Sequence, residues 1–159
     1  MSDQSEAPVG SLLAIDLGLR IGWALYSDRG RLLKYGSQHF GTRDQLKRAA
    51  SSILSRYPDV RRVVIEGGGD VALPWLREGE RRGMDVIQIH AGLWRERLLL
   101  PRDRRSGDRA KQSADLVARR VIEWSGAPRP TSLRHDAAEA ILIGLWAARE
   151  SGLAADFPG

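Results

Sequence analysis

Cysteine is absent from the 159 residues. Disulfides, thiolate metal sites and cysteine nucleophiles are therefore excluded, and a metal ion would have to be held by carboxylates or by the three histidines. Long apolar runs are missing too. No stretch approaches the roughly 20 residues that cross a bilayer, and residues 1–10 are acidic and polar rather than basic and then apolar. The chain is expected neither to span a membrane nor to be secreted. Lysine is scarce, with three residues against 22 arginines, and arginine's flat fork of donors suits phosphate.

What is present describes one globular domain. Hydrophobic residues make up 42% and charged residues 28%, a composition able to form a core, and the length suits a single domain. We expect a flexible N-terminal tail over 1–10, one domain over 11–150 and a loose C-terminal tail over 151–159. The net charge of +5 is uneven. Arg95, Arg97, Arg102, Arg104, Arg105, Arg109 and Lys111 stand against Glu96, Asp103 and Asp108, so this short stretch carries most of the surplus. Such a concentration is the electrostatic footprint of a phosphate-backbone contact, and equally that of a solvated arginine-rich loop.

Hydrophobic patterning predicts strands at Ser11 to Asp16, Ile21 to Ser27 and Arg31 to Gln38, joined by short turns and hence antiparallel. A helix follows from Asp44 to Tyr57, with Leu46, Ala49, Ala50, Ile53 and Leu54 at helical spacing and Pro58 as its stop. Val60 to Glu66 reads as a strand, Leu73 to Arg82 as a helix and Asp85 to His90 as a strand. Ala91 to Leu100 reads as a helix, Pro101 to Asp108 as a basic loop, and Arg109 to Trp124 and Leu133 to Arg149 as helices. The expected fold is α/β: a mixed five-stranded sheet, three antiparallel strands continued by two parallel ones, flanked by helices.

Four acids fall where this arrangement would bring them together. Asp16 ends the apolar strand Leu12-Leu13-Ala14-Ile15, and Glu66 ends Val63-Val64-Ile65. Asp136 and Glu139 are three residues apart at the start of the last helix, so they share a face with about 5 to 6 Å between Cβ atoms. Acids in a first helical turn also serve the macrodipole, with Thr131 or Ser132 as the cap. Ala137, Ala138, Ala140 and Gly144, however, let this helix approach a sheet closely. If the first and fourth strands are neighbours, Asp16, Glu66, Asp136 and Glu139 converge. Such a set matches Mg²⁺ or Mn²⁺ bound by oxygen and water, and a two-metal phosphodiester hydrolase with two ions per site.

Three blocks resemble the RNase H-like nuclease superfamily, and most closely its RuvC-type Holliday-junction resolvases. They are Leu13-Ala14-Ile15-Asp16-Leu17-Gly18-Leu19-Arg20-Ile21-Gly22-Trp23-Ala24, Val63-Val64-Ile65-Glu66 and His135-Asp136-Ala137-Ala138-Glu139-Ala140-Ile141-Leu142-Ile143. The resemblance implies Asp16, Glu66, Asp136 and Glu139 as metal ligands, with Glu139 where the bacterial enzymes usually carry Asp. Gly107-Asp108-Arg109-Ala110-Lys111-Gln112 is similar to the segment that brings a lysine to the scissile phosphate, which implies Lys111 in that role. His135 is a secondary candidate for proton transfer. The family's aromatic wedge has no counterpart at Gly67-Gly68-Gly69-Asp70, with Trp75 the only aromatic nearby, so the chain resembles phage or organellar variants more than the standard bacterial enzyme. The implied setting is the bacterial or phage-infected cytoplasm at the nucleoid, or an organelle.

The implied function is metal-dependent cleavage of four-way DNA junctions in recombination and repair, with branched DNA as partner and no membrane or organic cofactor. A symmetric substrate calls for a homodimer, through Trp75, Leu76, Leu93, Trp94 and Leu98. Two other readings stand beside it. The first block also resembles the YqgF-type RNA-processing proteins of the same superfamily, and the chain could be a catalytically silent junction-binding module.

Overall fold

The computed structural model describes residues 11–158, so the expected tail over 1–10 lies outside the described residues. Five strands, β1 (Ser11–Asp16), β2 (Arg20–Tyr26), β3 (Leu32–His39), β4 (Val60–Glu66) and β5 (Asp85–Ile89), form one sheet in the order β3-β2-β1-β4-β5. β1 pairs antiparallel with β2, and β2 with β3, while β4 runs parallel to both β1 and β5. The five helices are α1 (Arg43–Arg56), α2 (Leu73–Arg82), α3 (Ala91–Leu98), α4 (Gly107–Ser125) and α5 (His135–Glu150). The expected architecture is the observed one. No helix among the described residues is long and apolar enough to cross a membrane.

Strand alternation divides the core in two. Leu13, Ile15, Ile21, Leu25, Val63 and Ile65 pack beneath Leu46, Ala50, Ile53 and Leu54 of α1 and Trp75 of α2. Leu12, Ala14, Ala24, Tyr26 and Val64 face the other way, against Ala114, Ala118 and Val121 of α4 and Ala138, Ile141, Leu142 and Leu145 of α5. β1 and β4 lie inside the sheet, which explains their unbroken apolar runs.

Two glycines on strand and helix let α5 seat directly on the sheet. A Cβ on Gly22 would lie 1.9 Å from the Asp136 carbonyl oxygen, and one on Gly144 would lie 2.1 Å from the Tyr26 ring. The Tyr26 hydroxyl, buried by the same approach, donates to the Ile141 carbonyl. Gly22 is also the residue opposite Asp16 in the β1–β2 register. The first turn of α5 is thereby fixed over the end of β1.

Three local expectations are corrected. The cap of α5 is neither Thr131 nor Ser132. Both lie upstream of the last extended residue, Arg134, which occupies the cap position without a side-chain bond, and Asp136 Oδ1 accepts from the Ala137 N–H instead. The basic loop is shorter than expected: Pro101–Arg104 forms a 3₁₀ turn, and α4 begins at Gly107 because the Ser106 hydroxyl caps it by accepting from the Arg109 N–H. The described residues after α5 are also not loose. Ala154 and Phe157 are buried, Phe157 packs edge-on against Trp124, and its carbonyl accepts from Arg149. Apolar residues in a short polar tail are enough to dock it when the core presents an aromatic partner.

Candidate active site

β1 and β4 end level with each other. Asp16 is paired with Glu66 in the parallel register, and the Leu17 N–H donates to the Glu66 carbonyl at 2.9 Å just beyond. The chain leaves β4 through Gly67 at φ 120°, where a Cβ would lie 2.9 Å from the Leu17 carbonyl oxygen. Only glycine combines that backbone angle with so close an approach. The first two turns of α5 then supply Asp136 and Glu139 from above.

The four acids therefore meet at one end of the sheet. Burial, followed by the charges of Glu139, Glu66 and Asp136, pushes the Asp16 carboxyl up to about 8. Glu66 is also raised, mainly by burial, although the Trp94 hydrogen bond opposes the shift. Desolvation and like charge both favour the protonated form. The cluster holds more negative charge than the surrounding protein neutralises.

Each of the other three side chains is held by a partner. The Trp94 indole Nε1–H donates to Glu66 Oε1 at 2.9 Å, and Arg95 Nη2 donates to Glu139 Oε1 at 3.0 Å. The Ser37 hydroxyl donates to Asp136 Oδ2 at 2.8 Å. With the carboxylates turned to these partners, no three Asp, Glu or His side chains among the described residues are close enough to share one ion. The donor set, four carboxylates from rigid elements with no sulfur, still fits a hard divalent cation, and such an ion would offset both the burial and the like charge that raise the Asp16 carboxyl.

An open cavity of about 620 Å³ lies over the acids, lined by Asp16, Asp136 and Glu139 together with Arg20, Lys111, Arg134 and His135. Lys111 and His135 thus line the same cavity as the acids. Arg20 and Arg134, to which the sequence reading gives no role, join them. The remaining basic residues divide. Arg97, Arg102, Arg104, Arg105 and Arg109 are exposed, whereas Arg95 turns inward onto Glu139 and Trp94 is fully buried beneath it. Trp75 is fully buried as well. Neither tryptophan is free for an interface between copies, because each fills the core of its own chain. Sequence reading misses Ser37, and it offers Arg95 only as a DNA contact and Trp94 only as an interface residue, because nothing in their neighbours marks them as partners of acids far away in the chain.

No family model matches the chain, and no curated protein matches it. Solved structures do. One is T. thermophilus RuvC, in complex with Holliday junction substrate, with a TM-score of 0.64 at 18% identity over 90% of this chain and 95% of that one. Another is the Fowlpox virus resolvase with its substrate Holliday junction DNA, with a TM-score of 0.54 at 13% identity over 89% of this chain and 95% of that one. With the strand order, the parallel β1–β4 register and the helix seated on it, this likeness identifies the fold of the chain as the RNase H-like fold of RuvC.

Proposed function

We propose that the protein is a metal-dependent endonuclease that cuts DNA at four-way junctions. The observation that carries the reading is the meeting of Asp16, Glu66, Asp136 and Glu139 at the ends of β1 and β4 beneath a basic rim, in a fold shared with two junction-bound resolvases. Asp16, Glu66, Asp136 and Glu139 would hold Mg²⁺ or Mn²⁺. Divalent ions bound there would supply an activated water and a counter-charge for the leaving 3′ oxygen.

The chain's own residues do the rest. Gly22 and Gly67 fix the backbones that carry the acids, so the strand ends and the start of α5 are in place before substrate arrives. Lys111 opens onto the same cavity from α4 and places an ammonium where a phosphodiester would acquire charge, while Arg20 and Arg134 supply further cations to the strand.

A second depression of about 500 Å³ shares Ser132, Leu133 and Arg134 with the acidic cavity and continues past Lys34 and Arg129, with no carboxylate in its lining. Together with the exposed arginines of 97–109, it gives the acids basic surface on more than one side. A strand crossing the site would meet cations along its path. Two such sites, related by a two-fold axis, would cut the junction symmetrically. Leu76, Leu93 and Leu98, which keep part of their surface accessible, remain candidates for that contact.

The test is Mg²⁺-dependent nicking of a labelled four-way junction beside linear duplex and structured RNA, with sedimentation of the protein alone and on the junction. Paired nicks in junction DNA by a dimer are expected. Cleavage of the RNA in preference would favour the YqgF-type reading, and binding without cleavage would favour a silent module.

A further inference from the structure

Among the described residues, Arg95 is the one cation ion-paired to any of the four acids. Arg20, Lys111 and Arg134 line the cavity without such a pair. Its Nη2 lies 3.0 Å from Glu139 Oε1, where Glu139 is only 14% exposed. The guanidinium carbon lies 5.1 Å from the centre of the Trp94 ring, and the Trp94 indole is itself bonded to Glu66. Two consecutive residues of α3 thus engage two of the four carboxylates from one side. Trp94 is fixed in the core. Arg95 is 35% exposed and has an outlet to solvent.

The bonding of Arg95 is incomplete. Its Nε is buried without a hydrogen-bond partner, and an unsatisfied buried donor costs free energy that a fully made arginine–carboxylate fork would not. The guanidinium faces Glu139 within a cluster of acids, and it supplies that cluster with a single unit of positive charge. A divalent ion would supply two, with Glu139 among the residues that would hold it.

From this geometry we propose that Arg95 is a positioning residue, a built-in placeholder cation that holds Glu139 and steadies the acidic cluster until a divalent ion displaces it. The proposal rests on the metal-dependent reading above. Displacement has a direct consequence for affinity. Energy that Arg95 contributes to the metal-free cluster is lost when the ion enters, so the free protein binds metal more weakly than its four carboxylates alone would. Once released, the side chain sits at the edge of the site on the same chain segment as the exposed arginines of 97–109, where a DNA phosphate can receive it.

The experiment measures Mn²⁺ binding to the full chain without DNA, by electron paramagnetic resonance titration, together with the melting temperature with and without Mn²⁺. In Arg95→Gln the metal-free melting temperature should fall, Mn²⁺ should bind about tenfold more tightly, a difference of about 1.4 kcal/mol, and the Mn²⁺-induced rise in melting temperature should grow. Arg95→Lys keeps the charge and should stay within about threefold of the unaltered protein, so the proposal remains testable if the glutamine variant folds poorly. In a Glu139→Gln background, substitution of Arg95 should no longer change Mn²⁺ affinity, because the two act as a pair. Equal Mn²⁺ affinity in the unaltered protein and Arg95→Gln would overturn the placeholder and leave the metal site standing. Weaker binding by the glutamine variant would overturn it too, and no Mn²⁺ binding by any form would remove both the placeholder and the metal reading.

Discussion

Trp94 and Arg95 lie ten residues before Arg104 and Arg105, in the same basic stretch, yet the two pairs do opposite things. The first pair points into the acid cluster, one residue fully buried and the other ion-paired to Glu139. The second pair is exposed at the end of a 3₁₀ turn, just before the Ser106 cap of α4. Counting charge along the chain merges them into one DNA-binding surface. Packing separates them, because α3 is tied down by a tryptophan that fills a core position and the turn after it has no buried residue. A positive charge beside carboxylates is taken up by them, whereas the same charge in water is left accessible.

The widest separation between the two regions is expected at the acids themselves. Asp16→Asn and Asp136→Asn should lower junction cleavage by about a thousandfold or more while leaving binding within a few fold, since they remove groups used only in the reaction. The check is single-turnover nicking beside gel-shift affinity. Wild-type cleavage by either variant would remove that residue from the metal set.

Gly22→Ala tests whether the site depends on the approach of α5 rather than on the acids alone. The new Cβ would lie 1.9 Å from the Asp136 carbonyl oxygen, so helix or strand must move. Destabilisation of about 3 kcal/mol is expected in urea unfolding, with Mn²⁺ affinity lost in whatever remains folded. An unchanged midpoint would mean that the helix is not seated as described.

Without metal, the Asp16 carboxyl should make stability fall as pH rises. Its folded-state value of about 8 lies above the ordinary 3.8, so between those two values the native state holds the proton more tightly than the unfolded chain, and stability declines across that window. In the presence of a chelator, Asp16→Asn should therefore raise the unfolding free energy at pH 8 by an amount on the order of 2 kcal/mol, and change it little at pH 4. An equal effect at both pH values would show that burial of the carboxyl is not what raises it.

At the exposed end, Arg104→Ala with Arg105→Ala should weaken junction binding and flatten its salt dependence, each lost phosphate contact changing the slope by about 0.9, with melting temperature unchanged. Trp94→Phe sharpens the contrast from the buried side with the smallest effect. It keeps most of the ring but removes the donor to Glu66, which should cost about 1 kcal/mol in stability and leave the salt slope untouched. If the two substitutions exchanged these signatures, the division between the regions would be wrong.

Period and punctuation determined most of the fold. The strands Ser11–Asp16 and Val60–Glu66 are legible as apolar runs with a carboxylate at the end, and α1 announces itself by helical spacing. Even the meeting of the four acids follows, because a meander continued by β-α-β units leaves little choice about which strands are neighbours. Tertiary structure alone decided the rest. Ser37 reaches Asp136 across 99 positions, Arg95 reaches Glu139 across 44 and Trp94 reaches Glu66 across 28, distances at which no local pattern signals a partner. The same holds for Phe157, whose place against Trp124 turns an expected tail into part of the core. Local sequence records which face of an element is apolar, since that is a property of the element. Which side chain completes a carboxylate depends on where two elements cross, and packing alone fixes that crossing.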